Sequence, residues 1–242
     1  MSPSVTYNRV LVKLSGESLS GAGGSRIDSG AIARITEELV AIRQAGAQVA
    51  VVVGAGNLVR GRDLDAAGTI RRTTADYMGM LATVTNALAL RDSLESRGAA
   101  ALAMSAIPMP SVCETFNARH AVAALDAGRI VVFGGGTGSP FFTTDTCAAL
   151  RACEIGADVL IKATQVDGVF DADPKTHPGA TKYDELTYEK VLADRLGVMD
   201  LTAISLCMDN RLPIIVLASG KPGHLLTAVR GGKAGTLVQS KK

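Results

Sequence analysis

Three glycine-rich segments follow short apolar runs, and their composition suits the handling of phosphate. Lys13-Leu14-Ser15-Gly16-Glu17-Ser18 closes the run Arg9–Leu14. Gly54-Ala55-Gly56-Asn57-Leu58-Val59-Arg60-Gly61 follows Val49–Val53. Gly134-Gly135-Gly136-Thr137-Gly138-Ser139-Pro140 follows Ile130–Phe133 and continues into Phe141-Phe142-Thr143-Thr144-Asp145. Glycine lets a backbone approach a phosphate closely and tolerates positive φ. N–H groups exposed at such turns, and at helix N-termini, form anion sites. One such loop could be a tight turn and no more. Three of them at strand ends point to a phosphate site, because open α/β sheets bind ligands beyond the carboxyl ends of their strands.

Cations stand beside these loops. Lys13 and Lys162 each end an apolar run, and Arg60 lies within the second loop. A single lysine at a strand end is ordinarily a solvated flank. Together the three predict an anionic ligand, since buried cations without partners are costly. Phosphoryl transfer asks little more of a protein than positioning and positive charge around the transferring group. Two carboxylates remain ambiguous at this level. Asp145, after two threonines at a helix start, is either a first-turn acid favoured by the helix dipole or an anchor for the lysines or a magnesium ion. Asp76 is placed at the start of a helix, as a cap or as an acceptor for ribose hydroxyls.

The familiar nucleotide signatures are absent. Gly54-Ala55-Gly56 opens a dinucleotide fingerprint, but Val59 stands where its third glycine belongs, which counts against a nicotinamide-dependent enzyme. Gly220-Lys221 is followed by Pro222 and Gly232-Lys233 by Ala234, so no phosphate-binding P-loop is formed. The catalytic-loop motif of protein kinases is also missing. Nucleotide binding here therefore calls for another architecture.

The elements that must position these groups alternate along the chain. Strands are predicted at Arg9–Leu14, Val49–Val53, Ala100–Met104, Ile130–Phe133, Asp158–Lys162 and Pro213–Ala218. Helices are predicted at Ala31–Ala45, Asp76–Arg97, Ala118–Asp126, Thr144–Ile155, Tyr188–Leu196, Leu201–Asn210 and after Pro222, with Thr143 as a cap and Gly46, Gly98 and Gly128 as stops. Near-continuous apolar strands between helices imply an α/β fold with a mainly parallel sheet covered on both faces. The polar stretch Asp171–Asp184 reads as a long mobile loop within that pattern.

Composition sets the outer bounds. The 242 residues are 47% hydrophobic and 20% charged, enough to bury a sizeable core and to exclude global disorder. Lys plus Arg number 25 and Asp plus Glu 23, a net charge of +2 that argues against a protein devoted to nucleic-acid phosphates. Cys113, Cys147, Cys153 and Cys207 form no CxxC pair, so neither structural zinc nor a disulfide framework is expected. A thiol-containing cytoplasmic protein is the simplest reading. No secretory signal is read at the N-terminus, and the apolar runs are strand-sized, far short of the roughly 18 residues of a membrane span.

Lys13-Leu14-Ser15-Gly16-Glu17 resembles the opening motif of the amino-acid kinase family. Asp76-Tyr77-Met78-Gly79-Met80-Leu81-Ala82-Thr83-Val84, Met104-Ser105-Ala106-Ile107-Pro108, Thr137–Asp145 and Lys162-Ala163-Thr164-Gln165-Val166-Asp167-Gly168-Val169-Phe170 resemble its bacterial uridylate (UMP) kinase branch. The resemblance runs from about Arg9 to Val238. It implies transfer of the ATP γ-phosphoryl group to UMP in pyrimidine nucleotide synthesis, with magnesium. It also implies a three-layer α/β/α sandwich with a mainly parallel sheet, as a single domain over residues 1–242 with the UMP side toward the N-terminal part and the ATP side toward the C-terminal part.

By the same resemblance, Lys13, Leu14, Ser15, Gly16, Gly56 and Arg60 face the ATP phosphates, and Thr164, Phe170 and Asp173 hold the adenosine end. Ala55, Asp76 and the segment Thr137, Gly138, Ser139, Pro140, Phe141, Phe142, Thr143 and Thr144 take UMP. Lys13, Arg60, Lys162 and Asp145 are the expected catalytic set, and the magnesium ligands are unassigned. Ala55 replaces a usual glycine and adds a methyl to the acceptor site. A homohexamer activated by GTP and inhibited by UTP is implied as well. Arg91 matches a position of the GTP site, whereas Glu95 replaces a more basic residue there and Leu217-Ala218-Ser219-Gly220 departs from an asparagine-bearing segment. Two rivals remain at this level. One is the same fold with another acceptor, against which Gly138–Phe142 weighs; the other is a non-catalytic anion- or nucleotide-binding relative, which the joint presence of Lys13, Arg60 and Lys162 disfavours.

Overall fold

The computed structural model describes residues 5–21, 26–59, 68–174, 176–177 and 179–241. Among them nine strands form one sheet: β1 (Arg9–Leu14), β2 (Gln48–Val53), β3 (Ala101–Ser105), β4 (Glu114–Thr115), β5 (Ile130–Gly134), β6 (Val159–Thr164), β7 (Glu185–Thr187), β8 (Ile214–Ala218) and β9 (Thr236–Gln239). The spatial order is β4-β3-β5-β2-β1-β6-β8-β9-β7. All pairings are parallel except β8 with β9. The strands ending in the glycine loops, β5, β2 and β1, are thus neighbours, and β6 with Lys162 comes next.

Seven α-helices are described: α1 (Ser29–Gln44), α2 (Arg72–Glu95), α3 (Ala118–Asp126), α4 (Thr144–Glu154), α5 (Tyr188–Ala193), α6 (Leu201–Asp209) and α7 (His224–Val229), with a short 3-10 turn at Gly16–Leu19. Period-two alternation in the strands divides the core into two layers. Val10, Val12, Leu14, Val49, Val51, Val53, Ile161 and Ala163 pack with α1, α2 and α7. Leu11, Ala50, Val52 and Leu160 face the other way, toward α3, α4, α5 and α6. This is the expected α/β/α sandwich. The same alternation turns Lys13 and Lys162 toward the layer of α4.

Three differences from the sequence reading have physical causes. Helix α2 starts at Arg72 rather than Asp76, behind a cap at Arg71 whose side chain makes no capping bond. Asp76 therefore is no cap: it sits one turn inside, accepting an i,i+4 ion pair from Arg72 at 2.9 Å, and no glycine or proline marked the true start. Strands β4, β7 and β9 went unpredicted because they span only two to four residues at the ends of the sheet, where short elements carry little periodicity. The stretch after Phe170 is a loop, but its base is laced: Phe170 bridges Lys182, and the Asp171 carboxylate accepts the Thr181 N–H at 2.8 Å.

Candidate active site

Lys13 and Lys162 are direct partners in the β1–β6 register. Both ammonium groups reach the carboxylate of Asp145, Lys13 Nζ to Oδ1 at 2.9 Å and Lys162 Nζ to Oδ2 at 2.7 Å. Lys162 also donates to the Val198 carbonyl at 2.7 Å. The three side chains are largely buried, with exposures of 10%, 17% and 15% for Lys13, Lys162 and Asp145, so solvent screens them little. Burial alone would raise the Asp145 pKa, but the two ammonium groups outweigh it and hold the carboxyl below its ordinary value. Two positive charges against one negative leave a net positive rim at the ends of adjacent strands.

Asp145 is held there by the start of α4. Thr143 caps that helix, its hydroxyl oxygen accepting the N–H groups of Asp145 and Thr146 at 3.1 Å each. Thr143 Oγ1 in turn donates to Asp200, and Thr146 Oγ1 donates to Asp200 Oδ1 at 2.8 Å. Asp200 also caps α6 by accepting the Ala203 N–H at 3.1 Å. One carboxylate thereby ties two helix starts together next to the lysines. The sequence reading missed it, although an Asp followed by an apolar helical stretch was a visible cap signal.

The first two glycine loops lie against one another. Gly54 N–H donates to the Leu14 carbonyl at 2.8 Å. A Cβ on Gly16 would lie 2.5 Å from Gly56 N and from Asn57 Oδ1. Glycine is thus demanded by close backbone approach, as a cradle of N–H groups requires. Arg60 lies outside the described residues. Thr164 shares with Lys162 the strand face set by alternation, and its carbonyl accepts from Ser219 N and Oγ at 2.7 and 3.1 Å. That contact gives the divergent Leu217–Gly220 segment a local role. Phe170 is half-buried in the loop beyond β6. Asp173 is exposed there, and its carbonyl closes a turn with Thr176 and His177.

Ala55, Asp76, Ser139, Phe142, Thr143 and Thr144 line one cleft with Gly136. Helix α2 adds Ala75, Gly79, Met80 and Thr83. Of these, Gly79, Met80 and Thr83 lie three, four and seven residues beyond Asp76, a spacing that could have disclosed them. Thr137, Gly138, Pro140 and Phe141 belong to the same loop. Asp76 Oδ2 accepts the Phe141 N–H at 2.8 Å, and the Arg72 guanidinium lies 5.6 Å from the Phe141 ring centroid. Phe141 adopts φ 71° and is 65% exposed. A left-handed, outward phenylalanine is a strained feature at the mouth of a cleft.

The chain matches the amino acid kinase family over residues 8–218. It is 52% identical over 237 residues to a uridylate kinase of Xanthomonas campestris, covering 98% of both chains. The UMP kinase structure from Bacillus anthracis superposes with a TM-score of 0.94 at 39% identity, covering 98% of this chain and 97% of that one. The UMP kinase structure from Ureaplasma parvum gives 0.91 at 34% identity, covering 96% and 99%. Sheet order, the paired lysines at the strand rim and these full-length likenesses agree, and the chain belongs to the amino acid kinase family.

Proposed function

We propose that this chain transfers the γ-phosphoryl group of ATP to UMP, giving ADP and UDP. The observation that carries the reading is the Lys13–Asp145–Lys162 cluster. It is continuous in the chain with the Ser15–Gly16 cradle on one side and with the Thr143–Thr144 wall of the acceptor cleft on the other. Two anionic nucleotides meet only where positive charge offsets their repulsion, and the cluster supplies that charge beside backbone N–H donors.

The attacking atom is a UMP phosphate oxygen, already an anion, so no strong general base is required. The bond from the γ-phosphorus to the ADP oxygen breaks as the bond to the UMP oxygen forms, in line and without a covalent enzyme intermediate. Lys13 and Lys162 neutralise the transferring and leaving phosphates, and Asp145 fixes both ammonium groups. Lys13, Leu14, Ser15, Gly16, Gly56 and Arg60 take the ATP phosphates, and Thr164, Phe170 and Asp173 the adenosine end. Ala55, Asp76 and Thr137–Thr144 take UMP. Magnesium is the expected companion of the ATP phosphates, because Mg2+ characteristically retains waters and phosphate oxygens. When bound it adds charge neutralisation at the phosphates.

An ADP-release assay with UMP, CMP and dUMP as acceptors, with and without GTP, tests the reading. Fast release is expected with UMP; tight nucleotide binding without UDP formation would make the chain a binding protein instead.

Further parts of the reading rest on the family resemblance. The chain is one domain, supported by its single sheet. It assembles as a homohexamer, supported by Tyr77 and Leu81, an i,i+4 pair on α2 that are 45% and 49% exposed. It is inhibited by UTP and its activation by GTP is weak or altered, since Glu95 stands where the family has a more basic residue. A cytoplasmic location is supported by its free cysteines. No described helix is long and apolar enough to cross a membrane.

A further inference from the structure

Asn86 stands in the middle of α2 with no exposed surface, a polar amide in a largely apolar layer. A buried amide at such a place costs stability unless its donors and acceptor are all engaged. They are. Asn86 Nδ2 donates to the Gly54 carbonyl at 2.8 Å and to Asn57 Oδ1 at 2.7 Å. Asn57 Nδ2 returns a bond to Asn86 Oδ1 at 3.1 Å and spends its other hydrogen on the Arg26 carbonyl at 2.6 Å. Both amides use both hydrogens, which leaves one orientation for each ring-forming partner. Asn57 Oδ1 is also the atom that a Cβ on Gly16 would strike, so this amide pair lies directly beneath the contact of the two glycine loops.

We infer that Asn86 is a positioning residue for the donor-phosphate cradle. From the helix that carries Asp76, it fixes through Asn57 and the Gly54 carbonyl the backbone N–H groups of residues 54–57 against those of residues 15–16. Asp76 lies ten residues earlier, about 15 Å along the helix axis at 1.5 Å per residue. One rigid helix thus sets the acceptor cleft at one end and the donor loop at its middle. An apolar residue of similar size would pack equally well in that layer but would leave the Gly54 carbonyl and the Asn57 amide free to turn.

The inference rests on the reading of Gly16 and Gly56 as the ATP phosphate loop. The test compares Asn86→Ala, Asn86→Asp, Asn57→Ala and the double Asn86→Ala/Asn57→Ala variant with the unaltered protein. KM for ATP, KM for UMP and kcat are read beside the melting temperature. Asn86→Asp keeps the shape and loses both donated bonds, so it separates bonding from packing. The expected result, for both Asn86 variants, is a rise of tenfold or more in the KM for ATP and a clearly smaller rise in the KM for UMP, whose cleft shares Ala55 with the same loop. The double variant should be no worse than either single one, because the pair acts as a unit. A fall in kcat that follows the lost folded fraction, with both KM values unchanged, would reduce Asn86 to a structural residue and overturn the inference. Equal rises in both KM values would overturn it too. Unaltered protein that releases no ADP with UMP would instead sink the underlying kinase reading.

Discussion

Asp145 balances one negative charge against two ammonium groups, and its titration follows from that. Its carboxyl is held below the ordinary value of 3.8. A depressed native pKa means that the ionised form stabilises the fold above the unfolded value and that this contribution is lost as pH falls through the native one. Asp145→Asn should remove that acid-side loss and lower stability at neutral pH by roughly 3 kcal/mol, the usual cost of stranding a buried partner. Urea unfolding between pH 3 and 7 measures both effects. Lys13→Ala should lower kcat by about 100-fold or more while the KM for UMP moves little, in keeping with loss of one donor of transition-state charge stabilisation. An unchanged kcat in steady-state assays would remove Lys13 from the chemistry. The places of these three residues, at strand ends and a helix start, were legible in the sequence, but Asp145 stayed open there between a first-turn acid and an anchor, and only the fold brings the three together. Asn86 was not, and of Asp200 only the cap was, because their other partners lie more than 25 residues away along the chain.

Among the elements, α4 and α6 depend on one shared acid. Asp200 serves as the cap of α6 and as acceptor for the two threonine hydroxyls at the start of α4. Asp200→Ala removes a cap worth about 1 kcal/mol and two side-chain bonds worth about 1 kcal/mol each. The variant should therefore unfold at lower denaturant, with a destabilisation of about 2–3 kcal/mol. Its kcat should also drop about tenfold, because Asp145 rides on the loosened turn. Asp200→Asn, which retains an acceptor oxygen, should recover most of the stability in the same urea titration. The strands and helices of the central sheet were readable from apolar runs and glycine stops such as Gly46, whose φ of 103° only a glycine adopts readily. The start of α2 was hidden, since its cap position holds Arg71, which makes no side-chain capping bond, while the cap-type Thr73 and Thr74 lie inside the helix.

For the whole molecule, the exposed pair Tyr77 and Leu81 bears on assembly. Replacing both with serine should shift the assembly, proposed to be a hexamer, to smaller species, read by native mass spectrometry or light scattering; an unchanged mass would place the interface elsewhere. Regulation is a property of the same scale. Arg91 is drawn to Asp92 at 2.7 Å, and Glu95 lines a cavity with Arg91 and Arg129. A carboxylate facing a nucleoside triphosphate is repulsive, so activation by GTP should be weak, and strong activation in a steady-state assay would refute this. The sheet order was not readable from the sequence, because strand neighbours are chosen by crossover packing rather than by local pattern. Nor was the antiparallel β9, whose four residues pair with β8 only after the chain has turned back.

The shared rung of Lys13 and Lys162 on β1 and β6 makes threading errors visible as lost chemistry. Sliding either strand by a single position would send its ammonium into the aliphatic layer beneath α1 and bring a hydrocarbon up in its place. Such a chain could still be compact, yet it would be inert. Turnover per mole of refolded protein therefore counts the molecules whose two central strands found their proper alignment.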